Sequence, residues 1–246
     1  MTSKKMSAFE AMSQAQIIAF YPIVFQAIIA SKRLGILEFL DKNKGYNKIE
    51  DISRGTSISK YGIKVLLDML CKVQVSERNE NDQFALGSVG FFILHDKQAS
   101  INLDFVQDVC YKGAYHLTES IKEEKPIGLQ EIGDWDTLYE GLSELPPQVA
   151  KSWFDFDHFY SDAIFYNSLD IVFSSSPNKI MDIGGNTGKF TIEACKHNKD
   201  VNVTIVDLNK QLIAAEKNIK THGFIDRVSF VEQNMLSENI DLPKNN

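Results

Sequence analysis

A glycine-rich loop and two aspartates carry the clearest chemical signal in this sequence. The loop GGNTG, residues 184–188, follows the short apolar segment KIMDI, in which Asp182 is the penultimate residue. A second aspartate, Asp207, closes the apolar segment VNVTIVD. An acidic side chain at the end of a second strand is placed to accept hydrogen bonds from the two hydroxyls of a ribose. We therefore predict a nucleoside ligand held between the loop and Asp207.

The spacing of the glycines argues against a dinucleotide ligand. In the dinucleotide pattern GxGxxG the middle glycine would fall at Asn186, and position 189 is a lysine. An NAD-dependent oxidoreductase is disfavoured for this reason. Taken one at a time, the two aspartates have simpler explanations, because Asp182 could cap the following turn and Asp207 could be the N-cap of the next helix.

Strand-like and helical segments alternate around these residues. The order is strand KIMDI, helix KFTIEACKHN, strand VNVTIVD, helix NKQLIAAEKNIKTHGF and strand RVSFVEQ. This order requires a parallel sheet with right-handed crossovers. Ligands of such sheets bind at the carboxyl ends of the strands, beside the N-terminus of the next helix. The predicted loop and Asp207 both lie at that edge.

The first part of the chain predicts a helical module with a hairpin. A helix over SKRLGILEFLDKN precedes a short helix that ends in a turn at Gly55, and an amphipathic helix follows with apolar residues from Ile63 to Val73. The segment VSERNENDQFALG then predicts two short strands joined by a polar turn. Together these elements predict a winged helix. DNA binding is disfavoured because the second helix offers few basic residues and the net charge is −7.

Residues 8–30 form a predicted helix that is apolar on nearly every side. Such a helix needs an apolar partner, and a second copy of the chain is the simplest one, so we predict a homodimer. An ordinary core helix is the alternative. We expect no membrane span, because the longest apolar run, Ile17–Ala30, is shorter than the ~20 residues that a bilayer requires. The N-terminus lacks a signal-peptide pattern, and the three cysteines lack disulfide or metal spacing, so a cytoplasmic protein without a metal site is expected.

Three motifs resemble those of a known family. DIGGNTG, IVDL and GFIDRVSFVEQNML resemble the first three motifs of the class I S-adenosylmethionine-dependent methyltransferases, in particular the small-molecule O-methyltransferases. RLGILEFL, ISKYGIKVLLDMLCKV and the hairpin resemble the dimerisation domain of the same family, so the resemblance covers nearly the whole chain. It implies an α/β Rossmann-like methyltransferase core, partial and with about three parallel strands, preceded by a mainly α-helical winged-helix dimerisation domain. The implied domains are 1–95, a helical connector 96–175, and 176–246.

The resemblance also implies S-adenosyl-L-methionine as the methyl donor and a small-molecule acceptor. In the resemblance, the methionine part of the donor would be held by Asp182, Gly184, Gly185 and Asn186. The ribose of the donor would be held by Asp207, and its adenine by Leu208, Asn234 and Met235. Two residues depart from the family pattern. Asn186 replaces a glycine, a mild change because asparagine tolerates left-handed backbone angles. Asn234 replaces an aspartate and so loses a charge, and it could instead be an ordinary loop residue.

The aromatic segment SWFDFDHFYSD, residues 152–162, resembles the part of the family that lines the pocket. Pocket candidates are Trp153, Phe156 and Tyr160, and His158 is a weak candidate for a general base. The alternative is a helix that packs its aromatic face on the core. The resemblance places the usual catalytic histidine after a fourth strand, beyond Asn246, so the catalytic residue stays unassigned. We expect a fragment of a longer enzyme that lacks turnover by itself. A winged-helix regulator and a non-catalytic dimeric scaffold are the competing functions.

Overall fold

The computed structural model describes residues 6–237 and 239–243, so the outermost residues of the predicted first and last domains lie outside the described part. Contacts between residues divide the chain into two compact units, and the division falls between Gln107 and Asp108. This division lies inside the connector predicted for residues 96–175. The three-part organisation of the chain stays a prediction.

The N-terminal unit consists of helices and one two-stranded antiparallel hairpin. A capping box starts the first helix: the Ser7 hydroxyl accepts from the Glu10 backbone N–H, and the Glu10 side chain accepts from Ser7. The elements are α1 Ala8–Arg33, α2 Ile36–Lys42, α3 Ile49–Thr56, α4 Lys60–Cys71, β1 Ser76–Arg78, β2 Phe84–Leu86, α5 Ser88–His95 and α6 Lys97–Phe105. The pair α3–α4 and the β1–β2 hairpin form the predicted helix-turn-helix with its wing.

A single apolar core joins these elements. Its fully buried members are Ile36, Leu37, Leu40, Ile52, Ile63, Leu67, Leu70, Val75 and Phe84. The residues from α4 in this set follow helical spacing, i, i+4 and i+7, which places them on one face. The apolar face predicted for that helix is therefore the face that packs on α1, α3 and β1.

Two local predictions in this unit are wrong, and both concern a glycine. The helix predicted over residues 31–43 is broken at Gly35, whose φ of 71° is left-handed, so α1 ends at Arg33 and α2 begins at Ile36. Gly55 lies inside α3 rather than in a turn. A Cβ at Gly55 would lie 2.1 Å from Cε2 of Phe39, so this glycine allows close helix packing. The turn itself is made by Ser57, with a φ of 60°.

Helix α1 keeps most of its apolar side chains on the surface. Phe9, Ile18, Phe20 and Ile23 are each more than half exposed, and burial begins only near Ala27. The whole helix has 26 residues, and its length and composition would also suit a membrane span. The prediction that it is too short considered only the central apolar run, so length does not exclude a membrane span.

A π-helical turn over Val106–Cys110 spans the division between the two units. Short 3-10 helices follow it in the C-terminal unit. Its larger elements are α7 Leu117–Glu123, α8 Leu138–Gly141, α9 Pro147–Val172, β3 Lys179–Ile183, α10 Lys189–His197, β4 Asn202–Asp207, α11 Asn209–Thr221 and β5 Val228–Glu232. Proline suits the first position of α9 because it donates no backbone hydrogen bond. The three strands form a parallel sheet in the order β3-β4-β5.

Arg227 links the end of α10 to the strand that follows α11. Its guanidinium donates to the carbonyl oxygens of Cys195 and Asn198, both at 2.8 Å, and lies 5.1 Å from the centre of the Phe224 ring. These carbonyls belong to the last turn of α10, where the helix supplies no donor of its own. Arg227 therefore acts as a C-terminal cap for α10.

We expect Arg227→Met to lower the free energy of unfolding by about 1–3 kcal/mol, because the variant keeps the stem of the side chain but leaves the two carbonyls without their charged donor. Urea denaturation followed by circular dichroism measures this change. Arg54→Met removes an exposed arginine from α3 and should change the stability by less than about 0.5 kcal/mol. Equal effects of the two substitutions would contradict a capping role for Arg227.

Candidate functional site

A cleft of about 430 Å³ lies at the carboxyl ends of β3, β4 and β5. Its walls come from the loop after each strand, from one face of α9 and from the segment around α8. The eight residues predicted to hold a nucleoside donor all line this cleft: Asp182, Gly184, Gly185, Asn186, Asp207, Leu208, Asn234 and Met235. The structure thus brings together residues that are more than fifty positions apart in the sequence.

The glycine loop has left-handed backbone angles at three positions. The φ values are 70° at Gly184, 48° at Asn186 and 75° at Gly188. Asn186 therefore has the left-handed conformation that asparagine was expected to tolerate in place of glycine. A Cβ at Gly185 would lie 2.8 Å from Ile205 Cγ2 and 2.9 Å from Asp182 Oδ2. The loop can lie this close to β4 only because residue 185 has no side chain.

Asp207 is held by two backbone N–H groups. Its Oδ2 accepts from the backbone N–H of Asn186 at 2.7 Å, and its Oδ1 accepts from that of Leu208 at 2.7 Å. A carboxylate has about four acceptor positions, so about two remain for a ligand. The N-cap position of α11 is Leu208, which makes no side-chain cap. The main contact of Asp207 is with the glycine loop, and the explanation as an ordinary helix N-cap does not describe it.

Asn186 also connects the loop to α9. Its side-chain Nδ2 donates to Asp157 Oδ2 at 3.1 Å. Five residues further along α9, Asp162 accepts from Lys189 Nζ at 2.8 Å. The first helical residue after the loop and the loop itself are therefore both tied to α9, which fixes one wall of the cleft.

Asp182 is largely buried beneath the loop. Its Oδ2 accepts from the Thr191 hydroxyl at 2.7 Å, and the carboxyl also accepts from the Thr191 backbone, so Asp182 anchors the first turn of α10. Burial raises the pKa of this carboxyl above its ordinary value, and the negative charge of Asp207 adds to the increase, while the hydrogen bond from Thr191 opposes it. The folded protein therefore disfavours the charged form of Asp182.

We expect Asp182→Asn to raise the melting temperature by about 2–4 °C at pH 7, because asparagine still accepts from Thr191 but carries no charge to desolvate. A carboxyl with a raised pKa destabilises the fold above that pKa, and this penalty disappears as the pH falls toward the ordinary value of 3.8. The difference between variant and wild type should therefore shrink on acidification. Thermal melts at several pH values measure it, with the exposed Asp200→Asn as control. A difference that stays constant with pH would refute this account.

The loop after β5 contributes amide side chains. Asn234 Oδ1 accepts from the backbone N–H of Leu236 at 2.9 Å, so this residue stabilises its own turn and also lines the cleft. The neighbouring Gln233 donates to the Asn234 carbonyl at 3.0 Å and to the Ser237 hydroxyl at 3.1 Å. Met235 supplies an apolar part of the same wall.

Only some of the aromatic candidates on α9 line the cleft. Trp153 and His158 line the cleft, and the ring of His158 stacks on Phe154 with the centroids 5.9 Å apart. Phe156 and Tyr160 are not among the described residues that line it, and their rings contact each other at 4.9 Å. The segment is therefore partly pocket wall and partly aromatic packing.

Sequence analysis missed several residues of the α9 wall. Asp157, Ser161, Asp162 and Phe165 line the cleft together with Trp153. Spacings of four, eight and twelve residues from Trp153 lead to Asp157, Ser161 and Phe165, but spacings of three and seven lead to Phe156 and Tyr160, so the helical period alone does not identify the cleft side of α9. The segment around α8 was missed as well, and it contributes Thr137, Tyr139 and Leu142. No periodic pattern marks that segment as a cleft wall.

Comparison with known proteins gives a consistent result. Residues 13–84 match the family model of the Dimerisation2-like domain. Over 214 residues the chain is 23% identical to an L-tyrosine C(3)-methyltransferase of Streptomyces lavendulae, a match that covers 86% of this chain and 58% of that protein. The chain thus spans little more than half the length of this relative.

Two solved structures are similar to the chain in fold. One is the apo form of the S-adenosylmethionine-dependent methyltransferase SibL, with 19% identity, a TM-score of 0.65, and coverage of 93% of this chain and 67% of that chain. The other is an O-methyltransferase from neocarzinostatin biosynthesis in complex with S-adenosyl-L-homocysteine and 1,4-dihydroxy-2-naphthoic acid, with 17% identity, a TM-score of 0.62, and coverage of 89% and 66%. The predicted fold class is confirmed.

Proposed function

We propose that this chain, which has the fold of the S-adenosylmethionine-dependent methyltransferases, binds S-adenosyl-L-methionine for transfer of its methyl group to a hydroxyl of a small molecule. The observation that supports this most is the position of Asp207. Its carboxylate is held by the glycine loop at the carboxyl end of the central strand, with acceptor positions left for two hydroxyls. Such an arrangement suits a ribose next to a chain bound by the loop.

The charge of the cleft also fits this donor. Four carboxylates line it, those of Asp157, Asp162, Asp182 and Asp207, against the single lysine Lys189 among the described lining residues. An acidic lining favours a ligand that carries a positively charged sulfur and an ammonium group over one that carries a pyrophosphate. Space is available at the loop, since a Cβ added at Gly184 would have no atom within 4 Å. Backbone groups can therefore approach the methionine part.

When bound, the donor supplies a methyl group on a positively charged sulfur. The acceptor oxygen forms a bond to the methyl carbon, the bond from carbon to sulfur breaks with its electron pair staying on sulfur, and the hydroxyl proton goes to a base. Residues of this chain would hold the donor and exclude water, which lowers the barrier by positioning. His158 is the histidine that lines the described part of the cleft, and its Nδ1 lies 3.6 Å from Asp162 Oδ1. We retain it only as a weak candidate for the base.

Methylation at an aromatic carbon is a second candidate, favoured by the similarity to the L-tyrosine C(3)-methyltransferase. Both reactions use the same donor site and differ in which acceptor atom lies in line with the methyl carbon. Product analysis by NMR separates them, because a methyl group on oxygen and one on a ring carbon have different carbon chemical shifts. If the methyl group of the product is found on a ring carbon, C-methylation would replace O-methylation in this proposal.

The N-terminal unit supports a homodimer in this proposal. The Dimerisation2-like match covers the exposed part of α1 from residue 13, and that helix has the apolar surface that a partner copy would cover. A water-soluble dimer that acts on a small molecule is consistent with a cytoplasmic protein, and we propose that location.

Calorimetric titration of the purified chain with S-adenosyl-L-homocysteine tests the donor site, because the product needs no acceptor. We expect saturable binding with about one site per chain, and no binding of NAD at the same concentrations. Circular dichroism before the titration establishes that the sample is folded. A folded chain that binds neither ligand would overturn the proposal and favour a non-catalytic scaffold.

A further inference from the structure

Asp157 is a carboxylate of the cleft whose charge is not balanced by a lysine or arginine in the described part of the chain. It lines the cleft, and its side chain is 37% exposed, so a ligand can reach it. Its Oδ2 accepts from the Asn186 side-chain amide, a neutral donor, at 3.1 Å. His158 Nδ1 lies 3.9 Å from this carboxylate but closer to that of Asp162, at 3.6 Å. Asp157 therefore keeps acceptor positions and negative charge for a cationic ligand.

The other three carboxylates of the cleft already have a partner or a proposed role. Asp162 forms an ion pair with Lys189 Nζ at 2.8 Å. Asp182 lies beneath the glycine loop and anchors α10. Asp207 is held by the loop, and its remaining acceptor positions are those of the proposed ribose. Asp157 is thus the carboxylate that is left for a second polar group of the ligand.

One residue of the glycine loop holds both Asp157 and Asp207. The backbone N–H of Asn186 donates to Asp207 Oδ2 at 2.7 Å, and its side-chain Nδ2 donates to Asp157 Oδ2 at 3.1 Å. The two acceptor oxygens are therefore no more than about 11 Å apart, since the length of one asparagine separates the two donors. In S-adenosyl-L-methionine a flexible chain of up to about 10 Å joins the ribose hydroxyls to the ammonium group. A donor with its ribose at Asp207 and its methionine part along the loop has its ammonium group within reach of Asp157.

We propose that Asp157 binds the α-ammonium group of the methionine part of the donor, and that Asn186 positions its carboxylate. This inference rests on the proposed function. An ammonium group donates up to three hydrogen bonds and carries a positive charge, so it suits both the open acceptor positions and the charge of Asp157. A ligand without the amino group leaves the carboxylate unpaired in a partly buried cleft, so the site selects the intact amino acid.

The contact that positions Asp157 depends on a residue in which this chain departs from the family pattern. Asn186 stands where that pattern has a glycine, and a glycine has no side chain to donate to Asp157. The backbone N–H that holds Asp207 is available with either residue. The side chain of Asn186 therefore adds a contact to α9 without changing the contact to the ribose-binding aspartate.

Calorimetry with S-adenosyl-L-homocysteine and its desamino analogue, 5′-deoxy-5′-(3-carboxypropylthio)adenosine, tests this contact, because the two ligands differ only in the α-amino group. We expect the wild type to bind S-adenosyl-L-homocysteine at least about tenfold more tightly, since the analogue loses a charge-assisted hydrogen bond. Asp157→Asn still accepts from Asn186 but carries no charge, so the ratio of the two affinities should fall to about threefold or less. Asp155→Asn is the matched control on the same helix: it removes an exposed carboxylate that pairs with Lys151, and the ratio should stay unchanged.

A second variant tests the positioning role of Asn186. Asn186→Gly keeps the backbone N–H for Asp207 and suits the left-handed backbone of the loop, but it loses the amide that holds Asp157. The ratio of the two affinities should therefore fall, mainly through weaker binding of S-adenosyl-L-homocysteine. This variant decides the question if Asp157→Asn does not fold.

The outcomes separate this inference from the proposed function. Equal binding of the two ligands by the wild type, or an unchanged ratio in folded Asp157→Asn, overturns the role of Asp157 and leaves the donor site intact. An unchanged ratio in Asn186→Gly overturns the positioning role of Asn186 and, if Asp157→Asn does not fold, the whole inference. A wild type that binds neither ligand overturns the proposed function and, with it, this inference. Melting curves of each variant establish that it is folded.

Discussion

Replacing Asp207 with alanine is expected to weaken the binding of S-adenosyl-L-homocysteine by at least about 100-fold. The carboxylate would make two charge-assisted hydrogen bonds to the ribose, each contributing roughly 1.5–3 kcal/mol, and a factor of ten corresponds to about 1.4 kcal/mol. The substitution also removes the acceptor for the backbone N–H of Asn186, so the glycine loop loses the contact that fixes it next to β4. Calorimetry measures the affinity.

Two further variants distinguish ribose binding from loop positioning. Asp207→Asn keeps one acceptor oxygen, which can still hold the Asn186 N–H, so its loss of affinity should be smaller than that of the alanine variant. Asp200→Ala removes an exposed aspartate just before β4, at the opposite end of that strand, and should bind like the wild type. Wild-type affinity in a folded Asp207→Ala would show that the cleft does not hold a ribose at this position.

The sequence predicted the sheet well because its signals are local. Short apolar strands that alternate with amphipathic helices favour a parallel sheet. The observed strands match the predicted segments within one or two residues. The errors fall where a glycine has more than one use. Gly35 ends a helix through its left-handed backbone, while Gly55 permits contact with Phe39 inside a helix. Composition does not distinguish these two uses, since the second depends on a distant neighbour.

The candidate site was predictable to the extent that it follows the ends of strands. Every strand-end residue chosen from the motifs lines the cleft, whereas the choice on α9 was only partly successful. The helical period from Trp153 leads to Phe156 and Tyr160 as well as to Asp157, so the sequence could not tell which of these residues lines the cleft. Gln211 of α11 also lines the cleft and is 8% exposed. Its position had no sequence signal, because a glutamine on a helix is usually solvated and only the packing reveals its burial.

The second large effect concerns helix α1, where several large apolar side chains before Ala27 are exposed in the described chain. Phe20 is 59% exposed and Ile23 is 54% exposed, and both lie within the segment that matches the Dimerisation2-like domain. Large apolar side chains in this state are unfavourable in water, and burying one fully contributes about 1.5–3 kcal/mol. In a two-fold symmetric dimer each such residue is buried twice. A single substitution therefore acts on the interface at two places.

We expect Phe20→Glu to raise the dissociation constant of the homodimer by at least about 100-fold, so that the variant is a monomer at micromolar concentration while the wild type is a dimer. Sedimentation velocity measures the mass of each in aqueous buffer. Ile213→Glu makes the same kind of change at an exposed apolar residue of α11 and should stay dimeric. A wild type that is monomeric in buffer and partitions into lipid vesicles would instead assign the apolar surface of α1 to a membrane, which its length and composition also permit.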